Sequence, residues 1–153
     1  APPRRLPSAP PRRSSVLPWS YSVLPLSEAL GLENVLRGQA GPGDSRSLVT
    51  DGGIRLALPF PASIGESMSV GVRAEDILLS VDAPGRISAR NILPARVARC
   101  EPNGADTFIH LELEPGEERL VAKVTTDAVD KLGLDTGLRV YAPVKAQAIR
   151  RLA

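Results

Sequence analysis

Within "RISARNILPARV", residues 86–97, a hydroxyl, a guanidinium and a carboxamide stand within four positions, at Ser88, Arg90 and Asn91. Further along, "VKA" supplies Lys145 and Ala146, and Thr125 precedes the segment "TDAVDKLGL". A tetrahedral dianion needs several hydrogen-bond donors converging on its oxygens, with one or two positive charges to offset desolvation. These residues offer that set. Ser88 brings a hydroxyl, the Ala89 to Asn91 backbone brings N–H groups if it turns there, and Asn91 brings an amide. Arg90 or Lys145 brings charge, and Thr125 adds a hydroxyl near a helix N-terminus. Each also has a structural use: a turn cap for Ser88, a bend for Asn91, solvated strand ends for Arg90 and Lys145, a strand position for Thr125. Taken singly, the structural use is the commoner one.

Other chemistry is poorly supplied. The lysines are Lys123, Lys131 and Lys145, none at the spacing of a phosphate-binding loop, so no ATP site is expected in this chain. There is no nucleophile elbow, and Cys100 with His110 cannot complete a zinc ligand set, so no cation site is expected either. Glu75 and Asp76 are neighbours, which on a strand point to opposite faces. No catalytic residue emerges, and binding is expected rather than catalysis. His110 reads as a solvent-face residue and Cys100 as a small core filler.

The basic pI of about 9.0 dissolves when charge is divided along the chain. Residues 1–27 carry Arg4, Arg5, Arg12 and Arg13 and no acid, which leaves 15 basic against 17 acidic residues for 28–153. Seven of the 15 prolines lie in the same leader, as suits a solvated, extended linker. No apolar run nears the roughly 20 residues of a spanning helix, and a cytosolic setting is expected.

Beyond the leader, frequent Gly, Pro and Asn separate short apolar stretches, the style of small β-barrels. "LPARVARCE", the turn "PNGAD" and "TFIHLELE" make a hairpin with Ile109, Leu111 and Leu113 on one face. After "PGEE", "RLVAKVT" is expected to turn Leu120, Ala122 and Val124 inward, and "LRVYAPVK" to do so with Val140, Ala142 and Val144. A short helix lies between them, with Thr126 as its expected N-cap and Gly133 as its stop. "AQAIRRL" is expected to add a fifth strand or a tail.

The chain also repeats itself. "GESMSVGVRAEDI" aligns with "GLRVYAPVKAQAI" at an offset of 72, "IRLAL" with "ERLVA" at 64, and "NVLRGQ" with "NILPAR" at 57. The first copy is therefore shorter, by seven residues in the hairpin and eight where the second gains its helix. The fold expected is all-β: tandem OB-like small barrels, with a leader at 1–27, an abbreviated barrel at 28–84 and a second barrel at 85–153.

"ISARNILPARV", a hairpin and "LVAKVTTDAVDKLGLDTGLRVYAPVKAQAI" resemble the Mop domain, a molybdate-binding OB-like barrel, over residues 86–151. "NVLRGQ" and "VGVRAEDILLS" resemble the TOBE half that precedes it at the C-terminus of ABC-transporter ATP-binding subunits, especially those importing molybdate. The resemblance implies binding of molybdate or tungstate, often at contacts between barrels or subunits, by Ser88, Ala89, Arg90, Asn91, Thr125, Lys145 and Ala146. It also implies a homodimer and contact with a membrane permease through a parent ATPase, at the inner face of the plasma membrane. The chain would then be the C-terminal part of a longer subunit. Two residues depart from the family: Ala128 where serine is common, removing one hydroxyl ligand, and Ala95 where glycine is common. The alternative is a ligand-free TOBE-type dimerisation module. An OB-like nucleic-acid binder ranks last, since beyond the leader only Phe60, Phe108 and Tyr141 could stack on bases.

Overall fold

Two antiparallel sheets are built in the same strand order, one from each copy of the repeat. A computed structural model describes residues 33–152; the leader expected at 1–27 and the first residues of the barrel expected from 28 lie outside them. In chain order the elements are β1 (Glu33–Ala40), β2 (Ser47–Thr50), β3 (Arg55–Ala57), β4 (Ser67–Arg73), a 3-10 turn (Ala74–Asp76), β5 (Asn91–Asn103), β6 (Asp106–Leu113), β7 (Arg119–Thr125), α1 (Thr126–Leu132), β8 (Arg139–Val144), a second 3-10 turn (Ala146–Ala148) and β9 (Arg150–Arg151). One sheet runs β3-β2-β1-β4-β9 and the other β7-β6-β5-β8. With the same strand order visible in both, the fold is nearly all-β, and its one α-helix among the described residues falls in the second copy, as the alignment gap requires.

Alternation decides which faces close the core. In β6, Thr107, Ile109, Leu111 and Leu113 are buried while Phe108, His110 and Glu112 are half-buried. β8 buries Val140, Ala142 and Val144. β7 departs from the expected pattern: Leu120 and Ala122 are buried, Val124 only half so, and Val121 is buried on the opposite face. The first 3-10 turn packs against β7. Apolar side chains of both sheets then meet in one core that includes Leu36, Leu56, Val70, Leu93, Leu120 and Val144. Contacts hold the described residues from Asn34 onward together as one unit. Such sharing suits barrels too small to bury enough surface alone.

Two further expectations are corrected. The N-cap of α1 is Thr125, whose Oγ1 accepts the N–H of Ala128 at 3.1 Å, and not Thr126. The Thr126 hydroxyl instead meets Thr107 Oγ1 at 2.9 Å and Gly104 O at 3.1 Å, which pins the helix start to the β5–β6 turn. Gly133 ends the helix in the left-handed region (φ 69°), as expected. The second correction concerns "AQAIRRL", which adds no strand to its own sheet. After the second 3-10 turn the chain crosses over, and β9 pairs with β4, Val70 opposite Arg151 and Gly71 opposite Arg150.

That crossing is reciprocal. After the first 3-10 turn, Ser80 bridges Tyr141 of β8, with Ser80 N–H donating to Tyr141 O at 2.9 Å. The residues 72 further on from Ser80 and back from Tyr141 are Leu152 and Ser69, and Leu152 N–H donates to Ser69 O at 2.9 Å. Each copy thus lends its end to the other's sheet. The turns responsible superpose in kind: Arg73 (φ −73°, ψ 145°) leads into one and Lys145 (φ −67°, ψ 140°) into the other.

Candidate functional site

The ladder between β5 and β8 places the sequence-predicted residues. Asn91 faces Val144 at the last pair of that ladder. Arg90 and Lys145 are the next residues beyond it on the two chains, so "SARN" and "VKA" converge at one end of the sheet from opposite directions. Ser88, Arg90 and Lys145 are exposed, and Ala89 and Ala146 half-buried. None of the Ser88, Arg90 and Lys145 side chains has a hydrogen bond or ion pair among the described residues. Most cations elsewhere on this sheet are engaged: Arg96 and Arg139 with Glu114, Arg99 with Glu101, Arg119 with Glu112, Lys123 with Asp106. A hydroxyl and two cations free of carboxylate partners, together at one strand end, can meet an incoming oxyanion with charge-assisted hydrogen bonds.

Asn91 differs from its neighbours. It is 4% exposed, and both ends of its amide are engaged by β3 of the other sheet. Ala57 N–H donates to its Oδ1 at 2.7 Å, and its Nδ2 donates to Ala57 O at 3.2 Å. Thr125 stands apart altogether. Asp106 pairs with Asn103 on one side and Thr125 on the other, so the 13-residue length of β5 lies between Thr125 and the Asn91 end. Its hydroxyl caps α1, and at 7 residues that helix is too short to make an anion site from its N-terminus alone.

Sequence reasoning missed Ala57, Asn34 and Val121. Asn34 does at the first copy what Asn91 does at the second: Val121 N–H donates to Asn34 Oδ1 at 2.7 Å, and Asn34 Nδ2 donates to Val121 O at 2.9 Å and Val72 O at 3.2 Å. The repeat carries the equivalence of the two pairs, since Asn34 and Asn91 are 57 apart and Ala57 and Val121 are 64 apart, the two offsets of the alignment, but not the pairing itself.

The other reactive side chains lie outside this end of the sheet. His110 Nε2 is 2.8 Å from Glu101 Oε1, and burial of the ring holds its pKa below the usual histidine value against the pull of that carboxylate. Burial likewise raises the Cys100 thiol, which packs at the core margin. No cluster of three or more His, Cys, Asp or Glu able to hold a metal ion occurs among the described residues. No described helix is long and apolar enough to cross a membrane.

Residues 87–150, from the residue before Ser88 to the first of β9, match the TOBE domain family. This segment is a TOBE domain. Its curated relatives are ATP-binding subunits of importers. The molybdenum import ATP-binding protein ModC of Rhodopseudomonas palustris is 38% identical over 106 residues, covering 67% of this chain and 28% of the relative. The molybdate/tungstate import ATP-binding protein WtpC of Pyrococcus abyssi is 33% identical over 121 residues, covering 79% and 33%. The chain therefore spans about a third or less of the length of these relatives. Among solved structures, the cytoplasmic molybdate-binding protein ModG with molybdate bound superposes with a TM-score of 0.67 at 28% identity, over 76% of this chain and 92% of ModG. Since the superposition exceeds the TOBE segment, it takes in strands of the first copy, in line with the OB-like tandem architecture.

Proposed function

We propose that this chain is a molybdate- or tungstate-binding regulatory module belonging to the C-terminal part of an ABC-type importer ATP-binding subunit. The observation that carries the reading is the convergence of Ser88, Arg90 and Lys145, without side-chain partners among the described residues, at the Asn91–Val144 end of the TOBE segment. The ModC and WtpC relatives and the molybdate-bound ModG neighbour support it. The oxyanion would be met by the Ser88 hydroxyl, the backbone of Ala89 to Asn91, the Arg90 and Lys145 charges and the chain at Ala146. Residues 28–84 and 85–153 would be the two barrels, with the reciprocal crossing of their ends holding them in register. The ATP site and the hydrolytic activity would reside in the parent subunit, cytoplasmic and at the membrane's inner face through its permease.

Because Thr125 lies at the far end of β5, it can contribute to this site only from a second copy, which ties ligand binding to homodimer formation. The rival reading, a ligand-free dimerisation module, is favoured by Ala128, which brings no hydroxyl and whose N–H goes to Thr125. Thermal melting separates them. Millimolar sodium molybdate should raise the melting temperature by several degrees, with Ser88→Ala and Lys145→Ala each reducing the shift by half or more. An unchanged melting curve for the wild-type chain would sink the ligand reading. Analytical ultracentrifugation with and without molybdate tests the dimer, which should grow in population with the anion. Titration against tungstate, sulfate and phosphate reads selectivity by size.

A further inference from the structure

We propose that Asn91 is a positioning residue: its side chain fixes the Ser88–Arg90 segment to the first sheet through Ala57 and does not itself bind the anion. The proposal rests on the oxyanion reading above. A carboxamide that accepts from one residue's N–H and donates to the same residue's C=O reproduces the pairing of a neighbouring strand. Turning it toward a ligand would leave both Ala57 groups unpaired in a half-buried place. Asn34 makes the same pair with Val121, and there the residues before the asparagine are "LE" instead of "AR". The clamp therefore belongs to the repeat and does not depend on anion chemistry. What distinguishes the second copy is that the candidate donors begin one residue away from its clamp. Ala57 sits in β3, so the placement of those donors depends on the first sheet, and the two copies are coupled at the site.

One amide hydrogen of Asn91 has no acceptor among the described residues, whereas Asn34 gives its second to Val72. That hydrogen makes direct ligation the competing outcome. Isothermal titration with sodium molybdate decides, using the full chain as wild type and as Asn91→Ala, Ala57→Pro and Asn34→Ala, each below its melting temperature. Ala57→Pro removes the N–H that holds Asn91 while leaving residues 88–91 and 145 unchanged. Asn91→Ala and Ala57→Pro should each weaken binding tenfold or more, and Asn34→Ala should stay within twofold although it lowers the melting temperature. Loss of affinity in Asn91→Ala with wild-type affinity in Ala57→Pro would make Asn91 a ligand and overturn the proposal. So would affinities within twofold in all three. Hydrogen exchange of the backbone amides at 88–90, without ligand, reads positioning even if the wild-type chain gives no heat with molybdate or Ala57→Pro does not fold: Asn91→Ala should speed it tenfold or more and Asn34→Ala should not. Unchanged exchange in Asn91→Ala overturns positioning.

Discussion

At the scale of single residues, what separates the asparagines from Ser88, Arg90 and Lys145 is where their hydrogen-bonding groups go. Asn34 satisfies three backbone groups and Asn91 two, all at least 34 residues away in sequence. Because a buried backbone group left without a partner costs about 1–3 kcal/mol, Asn34→Ala should destabilise the protein by roughly 2–4 kcal/mol in urea titrations. A serine or lysine at an exposed strand end carries no such liability. His110 supplies a prediction in pH. Its folded pKa is depressed by burial, so between that value and about 6.5 the unfolded chain binds more protons than the folded one. Stability is complete above about pH 6.5 and is lost as pH falls toward the folded pKa. In His110→Gln, urea denaturation midpoints measured from pH 7 to 5 should fall less steeply than in the wild type. The residue types at 88–91 and 145 were legible as donors in the sequence. Which asparagine atoms remain for a ligand was not, because their partners on β3 and β7 are set by how the sheets close.

At the scale of elements, the repeat explains both agreements and departures. Gly38 and Ala95 occupy equivalent places, 57 apart, in β1 and β5. A Cβ on Gly38 would lie 2.2 Å from Val49 O, where β1 and β2 approach each other, whereas the second copy accommodates its alanine. Gly38→Ala should therefore cost about 1–3 kcal/mol by overpacking, read as a lower urea midpoint with the slope unchanged. The helix was legible from "TTDAVDKLGL", but its cap was displaced by one residue. Either threonine satisfies the capping rule, and the contact of Thr126 with Thr107 and Gly104 assigns the role to Thr125. β9 was least legible. Two exposed arginines carry no alternation, and its pairing with β4 comes from the direction in which the second 3-10 turn releases the chain. Arg151 also bonds Glu66, which holds that carboxyl below its usual pKa. Removal of residues 150–153 should lower the melting temperature by a few degrees and speed amide exchange in Ser69–Val72, leaving β5–β8 protected.

At the scale of the whole molecule, two copies with the same strand order carry different charge. The second 3-10 turn is "AQA", and the first is "AED", with Glu75 and Asp76 exposed where Gln147 and Ala148 stand in the second copy. Two carboxylates beside Arg73 oppose a dianion, so titration should give one oxyanion per chain, and Glu75→Gln with Asp76→Ala should ease any binding at the first copy. By itself the sequence determined the two copies, the strand faces of β6 and β8, the extra helix and the second copy as bearer of the candidate donors. These follow from alternation, turn residues and charge, which act within a few residues of their cause. Only the tertiary structure decided that the copies exchange their ends, that Asn91 belongs to Ala57, and that Thr125 stands a strand's length from Lys145. Those are contacts between residues far apart in the chain, fixed by the closing of a shared core, and no local pattern records which backbone group a buried amide will meet.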